Sequence, residues 1–216
     1  MIKIKCLTVN MKDENTYVVS DETGECVIID CGCKTEAEQK ALRDYVDSEH
    51  LTVKRLLCTH FHLDHTFGND FVLKTYGVEA EASEADHLLA EMVDYQLIAF
   101  GIEETGIFVP IPIYTIAPGE KIAFGNTELE VIACPGHSPG GVSFYCEKDG
   151  ALFSGDTLMK GAVGATNLPG GRKTKLVKSV ARLFELPDET IVYSGHGEPT
   201  TIGFEKKHNP IAAEIA

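Results

Sequence analysis

Thr59-His60-Phe61-His62-Leu63-Asp64-His65 is the segment on which the fold of this chain turns: it sets four strong metal-ligating side chains within six residues, directly after an apolar strand. His60 and His62 are two apart, so in an extended loop they project to the same side. Asp64 and His65 follow where the chain turns into a helix, and face the opposite side of a shared centre. Such packing suits two cations rather than one. Three imidazoles with a carboxylate are a ligand mix favoured by zinc, and iron and manganese accept similar sets.

Three more ligand candidates stand farther along the chain, each after a strand and each flanked by glycine. His137 lies in Pro135-Gly136-His137-Ser138-Pro139-Gly140-Gly141, Asp156 in Phe153-Ser154-Gly155-Asp156-Thr157, and His196 in Tyr193-Ser194-Gly195-His196-Gly197. Glycine lets the backbone turn sharply and approach a site closely, and strand ends are where an α/β architecture places its ligand groups. Five His and two Asp are enough for two metals if one carboxylate bridges. Gathering so many buried polar groups without a cation would be costly. His50, His87 and His208 sit in helical stretches without partners and read as surface residues.

Outward from these motifs, apolar strands alternate with helices in both halves. Ile2 to Cys6 and Tyr17 to Val19 read as strands, followed by an Asp21-Glu22-Thr23-Gly24 turn and a continuous apolar strand from Cys26 to Ile29. Thr35-Glu36-Ala37-Glu38 is a capping box opening a helix whose apolar face is Ala37, Ala41, Leu42, Tyr45 and Val46. Leu51 to Cys58 is the next strand. A short helix from Phe67 to Tyr76, a strand near Val78 and a helix capped by Ser83 follow. Residues 101–118, with Gly101, Gly106, Pro110, Pro112 and Pro118, read as a loop or edge crossing. Leu129–Cys134, Val142–Cys146 and Ala151–Ser154 are strands in hairpin style. A helix over Lys173–Glu185 stops at Pro187, Thr190–Ser194 is a last strand, and a polar helix ends the chain. With no linker or low-complexity run, residues 1–216 are expected to form one domain.

Composition narrows the function classes. The chain has 216 residues, 44% apolar and 24% charged, which is ordinary globular composition. At this length a single core can remove roughly 70% of the unfolded surface from water. Nineteen Lys and Arg against 33 Asp and Glu give a net charge of −14, which argues against nucleic-acid binding, since phosphate attraction needs a basic surface. No apolar run reaches membrane-spanning length, and the N-terminus lacks the apolar core of a secretion signal. The seven cysteines, an odd count with no C-x-x-C pair, read as reduced thiols in a cytoplasm. Cys31-Gly-Cys33 reads as small residues in a tight turn rather than a metal clip.

The T-H-x-H-x-D-H motif of Thr59–His65, followed in order by P-G-H, S-G-D-T and G-H-G, resembles the metallo-β-lactamase superfamily. Within it, the chain is similar to the single-domain glyoxalase II-like (hydroxyacylglutathione hydrolase-like) branch, and the tail Thr201-Ile202-Gly203, Glu205 and Asn209-Pro210 looks like its small bacterial members. The resemblance implies an α/β (α+β) fold, the four-layer αββα sandwich of the metallo-β-lactamase type. It also implies two divalent ions, zinc first with iron or manganese as alternatives. His60, His62 and His137 would hold one ion, Asp64, His65 and His196 the other, and Asp156 would bridge. Asp30, at the end of the strand Val27–Ile29, fits either a turn residue or a group orienting a ligand imidazole.

Two cations about 3.5–4 Å apart would bring a shared water to hydroxide near neutral pH, poised to attack a carbonyl carbon. Asp64 is the candidate catalytic residue, orienting that water as well as ligating. A thiolate leaving group, of pKa about 8.5, departs without protonation, whereas an amide nitrogen needs a general acid that the sequence does not name. The expected activity is therefore hydrolysis of a small-molecule thioester such as an S-acylglutathione, with no nucleic-acid or membrane partner. A mononuclear-iron persulfide dioxygenase and a lactonase are the alternatives. Two departures from the branch bear on glutathione. Only 20 residues follow His196, where the larger enzymes carry a glutathione-gripping helical region. The usual Gly-Arg-x-Asp is replaced by Gly164-Ala165-Thr166-Asn167 before Leu168-Pro169-Gly170-Gly171. Arg172 or Lys173 is the candidate for restoring that positive charge, against a reading of both as solvated loop cations.

Overall fold

The computed structural model describes residues 1–103, 107–112 and 114–215; Gly106, part of the expected 101–118 crossing, lies outside them. One sheet runs, in spatial order, β1 (Lys3–Val9), β2 (Glu14–Ser20), β3 (Glu25–Ile29), β4 (Thr52–Leu57), β5 (Ala80–Ala82) and β6 (Tyr114–Thr115). The other holds β7 (Lys121–Phe124), β8 (Thr127–Ala133), β9 (Val142–Cys146), β10 (Ala151–Gly155), β11 (Ile191–Ser194) and β12 (Thr200–Thr201), in reverse spatial order. The helices are α1 (Glu36–Ser48), α2 (Asn69–Tyr76), α3 (His87–Glu91), α4 (Val93–Ala99), α5 (Lys173–Leu183), α6 (Ile202–His208) and α7 (Ala212–Ile215). Both sheets are mixed. β3 through β6 pair in parallel, as do β10 and β11, and the remaining pairs are antiparallel.

The apolar strands read as continuous runs because each sheet is covered on both faces. Side chains alternate between two layers. Val19, Val27, Ile29 and Leu57 face Ile122, Leu129, Val131, Phe144 and Phe153 across the gap between the sheets. Their neighbours Val18, Ile28 and Leu56 face outward onto Leu42, Val46 and Val72 of α1 and α2. On the far side, Tyr145, Leu152 and Val192 face Leu176, Val180 and Leu183 of α5 and Ile202 of α6. The result is the expected αββα sandwich. No helix among the described residues is long and apolar enough to cross a membrane. All seven cysteines are free thiols, and every one except Cys6 is buried.

Local expectations fare unevenly. The capping box at α1 is formed in full, with Thr35 Oγ1 accepting from Glu38 N–H at 3.3 Å and Glu38 Oε2 accepting from Thr35 N–H at 2.8 Å. Of the five residues assigned to its apolar face, only Leu42 and Val46 are buried, while Ala37 and Ala41 are exposed. The helix rests on the sheet along a narrow line. Ser83 makes no side-chain cap; it precedes a 3-10 turn (Glu84–Asp86), and the expected helix splits at Met92 into α3 and α4. The strand expected near Val78 starts at Ala80. β7 was not expected, because four residues at a sheet edge carry too little alternation to stand out. His50 lies in a turn at φ +53° rather than in a helix. His87 is half-buried at the start of α3, with a buried Nε2 that has no partner among the described residues, since α3 packs Leu89 and Ala90 into the core.

Candidate metal centre

All four ligand-bearing segments leave the sandwich at one end. β4 runs straight into Thr59–His65, whose last three residues form a 3-10 turn before α2. His137 sits in the loop between β8 and β9, Asp156 follows β10, and His196 follows β11, which is parallel to β10. The register shift in the β10–β11 pair falls between Phe153 and Gly155, where the strand bends into the site.

The structure brings all seven predicted side chains together. Ligand atoms of His60, His62 and His137 lie within 4.8 Å of one another, and so do those of Asp64, His65 and His196. Asp156 stands between the two groups. Its Oδ1 is 3.5 Å from His65 Nε2, and its Oδ2 is 3.4 Å from His137 Nε2 and 3.7 Å from His196 Nε2. Asp64 Oδ2 is 3.5 Å from His196 Nε2. A third group, Asp30 with His60 and His65, is equally close, but the Asp30 oxygens are already occupied. Its Oδ1 accepts from Thr59 N–H at 2.7 Å, and its Oδ2 accepts from Thr59 Oγ1 at 2.6 Å and faces His65 Nδ1 at 3.1 Å.

The imidazoles are held from behind, and this fixes which nitrogen faces the cluster. His137 Nδ1 donates to the Ala165 carbonyl at 2.7 Å, His196 Nδ1 to the Lys12 carbonyl at 3.0 Å, and His65 Nδ1 to Asp30. Thr59 Oγ1 gives its proton to Asp30, so it accepts from His60 Nδ1 at 3.1 Å. Each of these four rings turns Nε2 inward. His62 is reversed, its Nδ1 lying 2.9 Å from His137 Nε2.

Charge separates the two groups. Burial and the surrounding imidazoles push His60 well below the usual range, and burial with His137 takes His62 down to about 3, so both rings offer neutral lone pairs. Burial opposes charge on His65, yet Asp156, Asp64 and Asp30 outweigh it and raise this ring well above the usual range. His196 is raised against burial by its bond to Asp64 and by Asp156. Burial opposes charge on Asp64 as well, but His65 and His196 hold its carboxyl well below the usual range. The second group therefore demands positive charge in its midst.

A divalent ion fits these residues. His60 Nε2, His65 Nε2 and Asp156 Oδ1 are buried atoms facing the cluster without a hydrogen-bond partner among the described residues, and such orphans are rare unless something else satisfies them. Space is kept by glycine: a Cβ at Gly195 would overlap Asp156 Oδ1 and come within 2.6 Å of His65 Cε1.

Sequence reasoning missed the residues that tie the loops together. Asp86 is buried and accepts from Phe61 N–H at 3.1 Å, Ser138 Oγ at 2.8 Å and Gly140 N–H at 2.5 Å, joining the loop of His60 and His62 to that of His137. Gln96 accepts from Leu63 N–H at 2.8 Å, and Asn10 Nδ2 donates to the Asp64 carbonyl at 2.9 Å. Asn15 Nδ2 donates to the Ser194 and Gly197 carbonyls, at 3.1 and 2.9 Å. Glu14 is fully buried, its Oε1 without a hydrogen-bond partner among the described residues and 3.8 Å from His65 Nδ1, and burial raises its carboxyl well above the usual range. A run of polar residues, Glu14-Asn15-Thr16, entering a strand was the one signal available for this region. Lys173 pairs with Glu214 at 2.8 Å and Arg172 is exposed, which favours the reading of both as ordinary surface cations.

Comparison with known proteins places this geometry. The Metallo-beta-lactamase superfamily profile matches residues 11–196. The chain is 32% identical over 211 residues to the hydroxyacylglutathione hydrolase GloC of Haemophilus influenzae, covering 97% of each. The crystal structure of the BLEG-1 B3 metallo-beta-lactamase superposes with a TM-score of 0.87 at 32% identity, covering 96% of this chain and 98% of that one. TTHA1623, crystallised in a di-iron-bound form, gives 0.82 at 33% identity, covering 95% and 98%. From the turn after β1 to His196, the stretch that builds the sandwich and its His/Asp metal-binding cluster, this chain belongs to the metallo-beta-lactamase superfamily and is a metallohydrolase of it.

Proposed function

We propose that the chain is a two-cation hydrolase of small thioesters, with an S-acylglutathione as the first substrate to try. The observation that carries this reading is the position of Asp156, whose two oxygens face one triad each. His60, His62 and His137 would hold one ion, and Asp64, His65 and His196 the other, with Asp156 shared between them. When bound, such ions supply Lewis-acid polarisation of a carbonyl and a water acidified towards neutral pH. Zinc is the first choice, and iron is the alternative that the di-iron form of TTHA1623 makes concrete.

The chain's own residues do the positioning. Asp64 stays ionised between His65 and His196, so its carboxylate accepts a proton-bearing contact from water and orients it. Asp30 and the carbonyls of Ala165 and Lys12 keep their histidines from rotating. The five clustered imidazoles are all committed to the cluster, which leaves none to protonate an amide nitrogen. A thiolate needs no such help, and this supports a thioester over an amide. The relationship to GloC supports the same class.

Elemental analysis of the purified chain, paired with turnover, tests the proposal. Two zinc per chain and hydrolysis of a lactoylglutathione-type substrate are expected. One iron per chain with O₂ uptake on a glutathione persulfide would replace it with the dioxygenase reading.

A further inference from the structure

We infer that Glu14 is a positioning residue for the second ion, the one assigned to Asp64, His65 and His196: its side chain stands behind the His65 ring, and the turn that carries it grips that triad alone. The inference rests on the two-ion reading above and adds to it a residue that governs the hold on one ion. Residues 10–15, the turn into β2, meet every member of the second triad. Asn10 Nδ2 donates to the Asp64 carbonyl at 2.9 Å, and the Lys12 carbonyl accepts from His196 Nδ1 at 3.0 Å. Asn15 N–H donates to the Gly195 carbonyl at 2.8 Å, beside an antiparallel bridge between Glu14 and His196. Glu14 Oε1 lies 3.8 Å from His65 Nδ1. Among the described residues, this turn makes no hydrogen bond or ion pair to His60, His62 or His137. The first triad is braced from elsewhere, by Thr59, Ala165 and Asp86.

The Glu14 carboxyl is built into its place. Oε2 accepts from Thr16 Oγ1 at 3.0 Å, and Thr16 Oγ1 accepts in turn from Gly32 N–H at 3.0 Å. One oxygen is thereby tied down, and fully buried Oε1 is left facing His65 with no hydrogen-bond partner among the described residues. Gly32 makes the room, since a Cβ there would overlap both Glu14 Oε2 and the Asp64 carbonyl oxygen. At 3.8 Å Glu14 does not itself bond to His65, whose Nδ1–H goes to Asp30 at 3.1 Å. It is the second acceptor on that side of the ring, and Asp30 is shared with Thr59. Two acceptors behind the ring keep the proton on Nδ1 and leave Nε2 to face the cluster as a lone pair.

The test compares the parent with Glu14→Leu, which keeps the volume and removes both oxygens, and with Glu14→Gln, which can still turn a carbonyl towards His65. Each protein is stripped of metal and titrated with zinc against a competing chelator, while ¹⁵N-histidine spectra show which rings coordinate. His62 marks the first ion, because Nδ1 is its nitrogen in the cluster. His65 marks the second, because its Nε2 faces the cluster and its buried Nδ1 carries the proton. In Glu14→Leu the second ion is expected to bind about 10–100-fold more weakly, with the first unchanged. The His65 Nδ1–H signal is expected to shift and to exchange faster, and Glu14→Gln to recover part of both effects. A general loss of packing would weaken both ions together. Two ions held by Glu14→Leu as the parent holds them, or weakened equally, therefore overturn the inference. Should Glu14→Leu not fold, Glu14→Gln decides: an unmoved His65 signal with unchanged affinities overturns the inference, and a selective loss at the second ion supports it. A parent that takes up a single ion overturns the two-ion reading itself, and the inference with it.

Discussion

Asp156 is the residue at which the two triads meet, and its substitution separates a bridge from a bystander. Asn keeps the shape and removes the charge that faces His65, His137 and His196. Loss of a group merely supporting a ligand lowers metal affinity or activity by about 10–100-fold. Asp156→Asn is therefore expected to lose half or more of the bound metal and at least about 100-fold in activity, with an unchanged far-ultraviolet circular dichroism spectrum. Retention of both metal and activity would remove the bridging assignment. Asp30 shows how two readings of one residue can both hold. It occupies the left-handed region at φ +51°, as a turn residue does, and its carboxylate simultaneously braces Thr59 and His65. Asp is among the few side chains that tolerate that backbone.

At the scale of elements, the sandwich is stitched at the end away from the metal centre by the β2–β3 turn. Asp21 Oδ1 accepts from Thr23 Oγ1 at 2.5 Å and Thr23 N–H at 3.0 Å, and its Oδ2 accepts from Asn126 N–H at 2.6 Å and Thr127 Oγ1 at 3.0 Å, so one carboxylate links hairpins of both sheets. Burial works against its charge, but these bonds outweigh it and lower the carboxyl from 3.8 to about 2. A depressed carboxyl stabilises above its unfolded value and loses that contribution as pH falls through the folded one. Asp21→Asn is expected to cost about 2 kcal/mol near neutral pH, and the gap from the parent should close as pH falls from about 4 to below about 2. Urea midpoints of the two metal-stripped proteins at pH 6 and pH 2 check this; a gap that persists at pH 2 would mean the ionised carboxylate is not its source. The same scale explains which elements were legible. Strands covered on both faces announce themselves as apolar runs, as β3 and β10 do. β6, β7 and β12 are short edge pieces with no such run.

Over the whole molecule, the charge of −14 sets the approach of substrate. A glutathione thioester is anionic and is repelled at long range, whereas a neutral thioester is not. Raising salt from about 10 to 150 mM shortens the screening length from about 30 to about 8 Å. The kcat/KM for an anionic thioester is expected to rise a few-fold over that range, with the neutral analogue unchanged. Stopped-time assays at the two salt levels measure the ratio. A fall for the anionic substrate would point to a local cationic surface that overrides the net charge.

The amino-acid order by itself picked out the candidate ligand residues and the layering. Both are local properties: a histidine or aspartate in a glycine-flanked turn at a strand end, and alternation that sorts Val18 from Val19 or Leu152 from Phe153. Only the tertiary structure decided what stands behind and beside these candidate ligands. Asp86 reaches Phe61 and Gly140 across 25 and 54 residues, and Asn15 reaches Ser194 across 179. A buried polar side chain shows nothing of its partner until packing excludes water from it, because until then water satisfies it equally well.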